Sequence, residues 1–462
     1  MKRIILIISV FILTAFCSLE LWAQGPRPQL TLSSDDRILV IAPHPDDEVI
    51  GAGGVIQEAL RLNIPVRVMY VTNGDSNALA ALYYKKRPVF GRKQALEMGK
   101  LRREEAVDAM KYLGLDENQL IFLGYPDYGT LRIFKKYWKL NKFYRSALTR
   151  VSNVPYVRSL TYGADYNAPS ILADFKKVLF DFKPTKVFVT HPSDGNDDHQ
   201  AVFLFLQIAL WELQGQIDNV LVYTYLVHAI NWPRPVGFSP LLQLEPPNHL
   251  QSQENQWIDF KLNPDQLRLK RELVDYYRTQ IPYKPKFLFT FVRANELFSS
   301  LSALKLVPQV LNGDVWEKEE KKQYTCFHGR CGKGNRNLFL KSVVYTLDPE
   351  QLSVRIRLKQ WSRQDLNIDC YLFGYTKNTA FAQMPKIHLR ISRDLNVQIS
   401  DGKKYLRSRD AKVSKIGNDI YVSLPLSFLG YPQKVIGSVA LQIQNLPLEA
   451  STWKVMEIND GS

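Results

Sequence analysis

The chain has 462 residues, 45% of them hydrophobic and 12% aromatic, enough to build substantial cores and too long for one ordinary domain, so two or three domains are expected. Its formal charge of +15 favours anionic partners such as acidic polysaccharide, lipid head groups or cell-wall polymers, and taken alone would also suit nucleic acid. The N-terminus argues against the last of these. Lys2-Arg3, an apolar run at residues 4–16 and the closing Leu21-Trp22-Ala23-Gln24 follow the plan of a signal peptide over residues 1–23, cleaved after Ala23. The expectation is an exported protein, periplasmic or secreted, with an uncleaved anchor ending near Trp22 as the alternative. No nucleic-acid partner is then expected, while an anionic polymer or membrane surface is. Losing Lys2, Arg3 and Glu20 with the leader leaves a charge of +14. Phe16 before Cys17 speaks against lipid attachment, which takes a small residue there.

Residues 36–300 alternate short β-rich runs with longer helical ones, the pattern of strands joined by crossover helices into a mostly parallel, Rossmann-like sheet. Residues 37–42 read as a buried strand, 53–62 as a helix and 66–71 as the next strand, closed by Asn73-Gly74-Asp75. A helix over 100–113 stops at Gly114, a strand over 121–123 follows, and a helix over 171–182 precedes a strand at 186–190. Residues 191–198 read as a polar loop leading into an apolar helix from Gln200. A last helix spans 264–280, and the α/β unit ends near Phe298. The Lys-, Arg- and Tyr-rich segments 80–92 and 132–166 read as substrate-facing insertions.

Residues 301–337 read as a linker. Cys326 and Cys331 are close enough to pair in an oxidising compartment, and a zinc knuckle built from them with His328 lacks a fourth ligand nearby. From 338 to 462, runs such as 353–358, 386–391 and 419–424 alternate between faces with turn signals between them, which predicts a β-sandwich.

Two polar clusters follow predicted strands directly: Pro43-His44-Pro45-Asp46-Asp47-Glu48 and His191-Pro192-Ser193-Asp194-Gly195-Asn196-Asp197-Asp198-His199. Ligands of open α/β sheets bind beyond the carboxyl ends of the strands, so these distant loops are expected on one rim. Two imidazoles and one carboxylate would give a metal three ligands and an open position, the plan of a catalytic site, with a neighbouring carboxylate as base. Singly, each of these residues could be a solvated loop residue or a helix cap. Clustered in a chain with 7 histidines, they point to a site.

Over roughly residues 37–298 the sequence resembles the PIG-L or LmbE-like deacetylases, which remove acetyl groups from N-acetylglucosamine units. The resemblance rests on Ala42-Pro43-His44-Pro45-Asp46-Asp47-Glu48 after a hydrophobic strand, Thr72-Asn73-Gly74-Asp75, Arg102-x-x-Glu105 leading to Leu113-Gly114, and Leu123-Gly124-Tyr125-Pro126-Asp127. Residues 270–280 and Arg293-Ala294-Asn295-Glu296-Leu297-Phe298 complete it. It implies that His44, Asp47 and His199 bind a metal, usually Zn2+, with Fe2+ the alternative for this ligand set. It further implies Asp46 as general base and Asp198 as the residue that orients the site.

The second motif of that family commonly reads His-Pro-Asp-His, and Asn196 stands where its first His, an oxyanion donor, would be. His191 is the expected helper by position. Arg102, Asp127 and Tyr125 are expected to bind substrate, and Tyr83, Tyr84, Tyr128 and Tyr162 are candidates for stacking on sugar rings. The implied activity is metal-dependent hydrolysis of the N-acetyl group of an acetylated amino-sugar glycan or glycolipid outside the cytoplasm, with the β-domain positioning carbohydrate. A non-catalytic glycan-binding scaffold and a metal amidase of a non-sugar conjugate are the alternatives.

Overall fold

The computed structural model describes residues 27–77, 91–251, 255–282, 284–311, 313–323, 327–329, 339–360, 365–402, 404–407, 411–444 and 446–459. The expected leader, Tyr83, Tyr84, Cys326, Cys331 and the side chain of His328 lie outside them, as does most of the first expected insertion. Among the described residues no helix is long and apolar enough to cross a membrane.

The first unit is a seven-stranded sheet of β1 (Ile38–Ala42), β2 (Val66–Thr72), β3 (Leu120–Tyr125), β4 (Lys186–Thr190), β5 (Leu221–Tyr225), β6 (Asn255–Lys261) and β7 (Asn295–Leu301), in the order β3-β2-β1-β4-β5-β7-β6. The first five strands are parallel, and β6 and β7 form an antiparallel edge. All five residues of β1 are buried, as expected for a central parallel strand covered by helices on both faces. The flanking helices are α1 (Asp47–Arg61), α2 (Arg92–Leu113), α3 (Thr130–Lys136), α4 (Ala168–Phe182), α5 (Asp197–Glu212) and α6 (Pro264–Val274).

β1 has β2 on one side and β4 on the other, so the chain leaves these neighbouring strands in opposite directions. Their outgoing loops open a crevice at the carboxyl edge, the topological switch point of such sheets. The two polar clusters are these loops.

Several helices begin earlier than the sequence pattern implies. α1 starts at Asp47, α2 at Arg92 and α5 at Asp197, so Asp47, Asp198 and His199 are first-turn residues and not loop residues. Acids there suit the positive end of the helix, and the Asn196 side chain caps α5 by accepting from the Asp198 amide at 2.8 Å. α6 ends at Val274, six residues before the expected Gln280.

The second unit is a β-sandwich. Its smaller sheet comprises Leu340–Leu347, Gln351–Leu358, Lys412–Ile416 and Asp419–Pro425, and its larger one is centred on the antiparallel pair Leu366–Tyr375 and Lys434–Ile443. Alternation along Leu366–Tyr375 joins the two units. Ile368, Cys370 and Leu372 face the sandwich core, whereas Tyr371, Phe373 and Tyr375 belong to a core continuous with α3, α4 and α5, as a period of two dictates. There the Phe134 ring lies 5.6 Å from Phe373 and 5.6 Å from Trp453. The Tyr375 hydroxyl donates to the Trp211 carbonyl at 3.0 Å.

The stretch read as a linker has structure of its own. Leu304–Leu306 runs parallel to Lys454–Ile458, and on the helix Gly313–Lys322 the carboxylates of Glu317 and Glu320 engage Arg355 and Arg357.

Candidate functional site

The turn after β1 folds back on itself. The Asp47 carboxylate accepts from the His44 amide at 3.1 Å, and Asp46 has φ 126°, a conformation a non-glycine residue adopts only at a cost of order 1–3 kcal/mol. That strain turns successive carboxylates in different directions. Asp47 Oδ2 lies 3.1 Å from His44 Nδ1 and 3.2 Å from His199 Nε2, and the two ring nitrogens are 3.3 Å apart. Asp46 instead meets the Arg102 guanidinium at 3.2 Å.

Both imidazoles are backed by carboxylates on their far nitrogens. His44 Nε2 is 3.2 Å from Asp127 and 3.4 Å from Asp198. His199 Nδ1 is 3.2 Å from Asp194, in contact but outside hydrogen-bond alignment. Asp194 also accepts from the amides of Val227 and His228 at 2.9 Å each, tying the loop after β4 to that after β5. Asp198 accepts from the Tyr128 and Thr130 amides and from the Thr130 hydroxyl, fixing the loop after β3.

The charge balance shows what the cluster lacks. Burial alone would lower the pKa of His44, but Asp127, Asp198 and Asp47 outweigh it and raise it well above its ordinary value. His199 behaves likewise, with Asp194 and Asp47 carrying it to about 9 against burial. Burial would raise Asp47, yet His199 and His44 hold it well below the usual carboxylate range. Burial, reinforced by Asp47 and Glu48, pushes Asp46 up to about 8 despite Arg102. The directions of these shifts mark a pocket that favours positive charge, of the kind a divalent cation would supply.

The donor set fits such an ion. Bonds of about 2.0–2.2 Å at tetrahedral angles place ligand atoms roughly 3.3–3.6 Å apart, close to the 3.1, 3.2 and 3.3 Å found here. His44, Asp47 and His199 form one candidate metal cluster among the described residues. Asp194, His199 and His228 form another, and His44, Asp127 and Asp198 a third.

A cavity of about 110 Å³ is lined by two members of the first cluster, His44 and Asp47, and by Asp46, Arg102, Asp127, Tyr128, Asn196 and His228. Arg102 is fixed by the carbonyls of Gly74 and Pro45. Gly74 has φ +62° and no room for a side chain, since a Cβ there would meet the guanidinium. Glu105 accepts from the Thr279 amide and hydroxyl, and Lys270 pairs with Glu296 at 2.6 Å beneath α1. These contacts account for the later sequence motifs.

Two expected site residues are misplaced by the sequence reading. Tyr125 ends β3 on its buried face, gives its hydroxyl to Asp174 at 2.7 Å and does not line the cavity over His44 and Asp47. The ring of His191 accepts from the Ser193 amide, contacts Asn255 and stacks on Trp257. It faces a separate cavity of about 170 Å³ and does not line the one over His44 and Asp47. Tyr162 is exposed and does not line the cavity over His44 and Asp47, whereas Tyr128 does.

Unlike His191, His228, absent from the sequence reading, lines the cavity over His44 and Asp47. Its ring centroid lies 4.9 Å from that of His199 and it stacks on Phe287. Burial holds it neutral, with a pKa lowered to about 4. The available signal was a histidine three residues beyond β5, whose Leu221-Val222-Tyr223-Thr224-Tyr225 run is rich in β-branched and aromatic residues.

Residues 39–210 match the profile of the PIG-L family, described as GlcNAc-PI de-N-acetylase. No curated protein matches the chain. Similar solved structures include an N,N'-diacetylchitobiose deacetylase from Pyrococcus horikoshii, 18% identical with a TM-score of 0.35 over 57% of this chain and 82% of that one. A deacetylase of the teicoplanin biosynthesis pathway is 17% identical with a TM-score of 0.38, covering 58% and 98%. The 4-carboxy-2-hydroxymuconate hydratase of Pseudomonas putida is 18% identical with a TM-score of 0.33, covering 60% and 99%. The chain carries a PIG-L family domain at residues 39–210, followed by a β-sandwich.

Proposed function

We propose that the protein is an exported N-deacetylase that hydrolyses the N-acetyl group of an N-acetylglucosamine-type unit in a glycan or glycolipid, using a metal held by His44, Asp47 and His199. The family match supports N-acetyl hydrolysis in general. The observation that carries the reading is the gathering of these three residues, with a separate carboxylate, Asp46, lining the cavity beside His44 and Asp47.

An amide is a weak electrophile, and a divalent cation in this cluster would polarise its carbonyl and acidify water. Asp46, steered by Arg102, takes the proton of the attacking water and returns it to the departing nitrogen, which leaves badly as an anion. Asp127 and Asp198 hold His44, and Asp194 holds His199, in the orientation a ligand needs. His228, neutral and at the cavity wall, donates to the developing oxyanion, a contribution typically worth on the order of 100-fold in rate. That places the donor on the loop after β5, and Asn196 is left with its capping role.

The proposed metal is zinc, with iron(II) compatible with the same ligands. Elemental analysis after anaerobic purification separates them. Acetate release from N-acetylglucosamine and its oligomers by the metal-loaded protein tests the activity. Absence of release from every acetylated amino sugar would overturn it.

A further inference from the structure

The catalytic cavity does not end at its own rim. It shares Tyr128, Asn196, His228 and Phe287 with a larger cleft of about 580 Å³. The far wall of that cleft belongs to the β-sandwich, through Tyr371, Gln442, Ala450 and Trp453. The inner cavity of about 110 Å³ suits an acetamido group and part of its ring, while the outer cleft falls in the range of sites that enclose extended ligands, about 300–1,000 Å³.

At the seam stands Lys135. Its ammonium lies 4.9 Å from the Tyr371 ring centroid and 5.5 Å from that of Trp453, and among the described residues it has no hydrogen bond or ion pair. A cation held on two aromatic faces and lining a cleft retains its donors for a ligand oxygen. Tyr128, 57% exposed at the junction of the two cavities, and Trp232 offer apolar faces to sugar rings. Asp197 and Gln442 add polar groups along the same cleft.

We infer that the β-sandwich builds the outer half of the substrate site, so that the substrate is an oligosaccharide chain whose acetylated unit enters the inner cavity while its neighbouring rings lie between Tyr128, Lys135 and the Ala450 strand. This rests on the deacetylase reading for the reacting group, though not for binding. Contacts to rings remote from the acetamide position the reacting unit, so chain length raises kcat/KM.

The test compares N-acetylglucosamine with its dimer and tetramer, by acetate release with the metal-loaded protein and by calorimetric binding to Asp46→Asn. The tetramer is expected to exceed the monosaccharide in kcat/KM by on the order of 10–100-fold. Lys135→Met should reduce that ratio about 10-fold through loss of a charged hydrogen bond, and Ala450→Phe should reduce it by filling the cleft. Equal kcat/KM and equal affinity for all lengths would overturn the inference while leaving deacetylation intact. Length-dependent binding weakened by Lys135→Met, without acetate release from any substrate, would support the cleft and sink the deacetylase reading. A length effect insensitive to both variants would overturn the assignment of the cleft.

Discussion

Replacing Asp198 by Asn separates its structural role from its role at the metal. The carboxylate is fully buried, with one oxygen taking the Thr130 amide and hydroxyl and the other taking the Tyr128 amide at 2.6 Å beside His44 Nε2. An asparagine keeps only one acceptor oxygen. Its NH2 must face either the Tyr128 or the Thr130 N–H, leaving a buried donor unmet at a cost of about 1–3 kcal/mol. Backing of His44 is weakened at the same time, which typically lowers metal affinity about 10–100-fold.

The comparison variant is Thr130→Val, which removes one hydroxyl donor to Asp198 and leaves the His44 contact in place. Urea denaturation of the apoprotein and zinc titration against a competing chelator read the two effects separately. Asp198→Asn should lose both stability and zinc affinity, and Thr130→Val mainly stability, by about 1 kcal/mol. Zinc binding by Asp198→Asn equal to wild type, or an equal affinity loss in Thr130→Val, would refute the positioning role.

Other consequences are open to measurement. Burial lowers the Lys386 pKa to about 7, below the roughly 10.4 of an unfolded lysine. The unfolded chain therefore binds more protons at this residue between these values, and the Lys386 contribution to stability should rise by up to about 1.4 kcal/mol per pH unit from pH 7 towards 10 and lie flat below 7. Lys386→Met should lack this contribution, so the stability difference between wild type and variant in urea unfolding should change by that slope between about pH 7 and 10, and a difference independent of pH would contradict it. Gly51→Ala would drive a Cβ to 2.4 Å from the Tyr225 ring, with an expected loss of about 1–3 kcal/mol in thermal or chemical unfolding. Phe373→Ala opens the core shared by the two units and should cost about 3–5 kcal/mol, in a single transition if they unfold together. His228→Ala should lower kcat on the order of 100-fold with zinc content retained, whereas His191→Ala should leave kcat near wild type.

The rim that holds the site was readable because Pro43-His44-Pro45-Asp46-Asp47-Glu48 and Asp198-His199 follow strongly apolar strands, and parallel topology brings such loops together. Helix starts were misread for a physical reason: Asp47 and Asp197 look like loop acids, yet a first turn accepts acids as readily. Tyr125 was misassigned because the facing of a strand's last residue depends on register, which sequence shows poorly. His228 has no acidic neighbour in sequence, and it is brought to the site by the Asp194 carboxylate and the Gly195 amide, which reach across from the loop after β4. The cleft wall is likewise invisible in sequence, since it depends on the packing of Tyr371 and Trp453 against α3.

Acetate release by the zinc-loaded Asp46→Asn protein, with bound zinc measured in the same sample, bears most directly on the proposed chemistry. The predicted result is full zinc occupancy with hydrolysis of acetylated chitooligosaccharides reduced by at least on the order of 100-fold, the lower end for a lost general base. Zinc retained together with undiminished acetate release would show that Asp46 is not the proton carrier and would contradict the account.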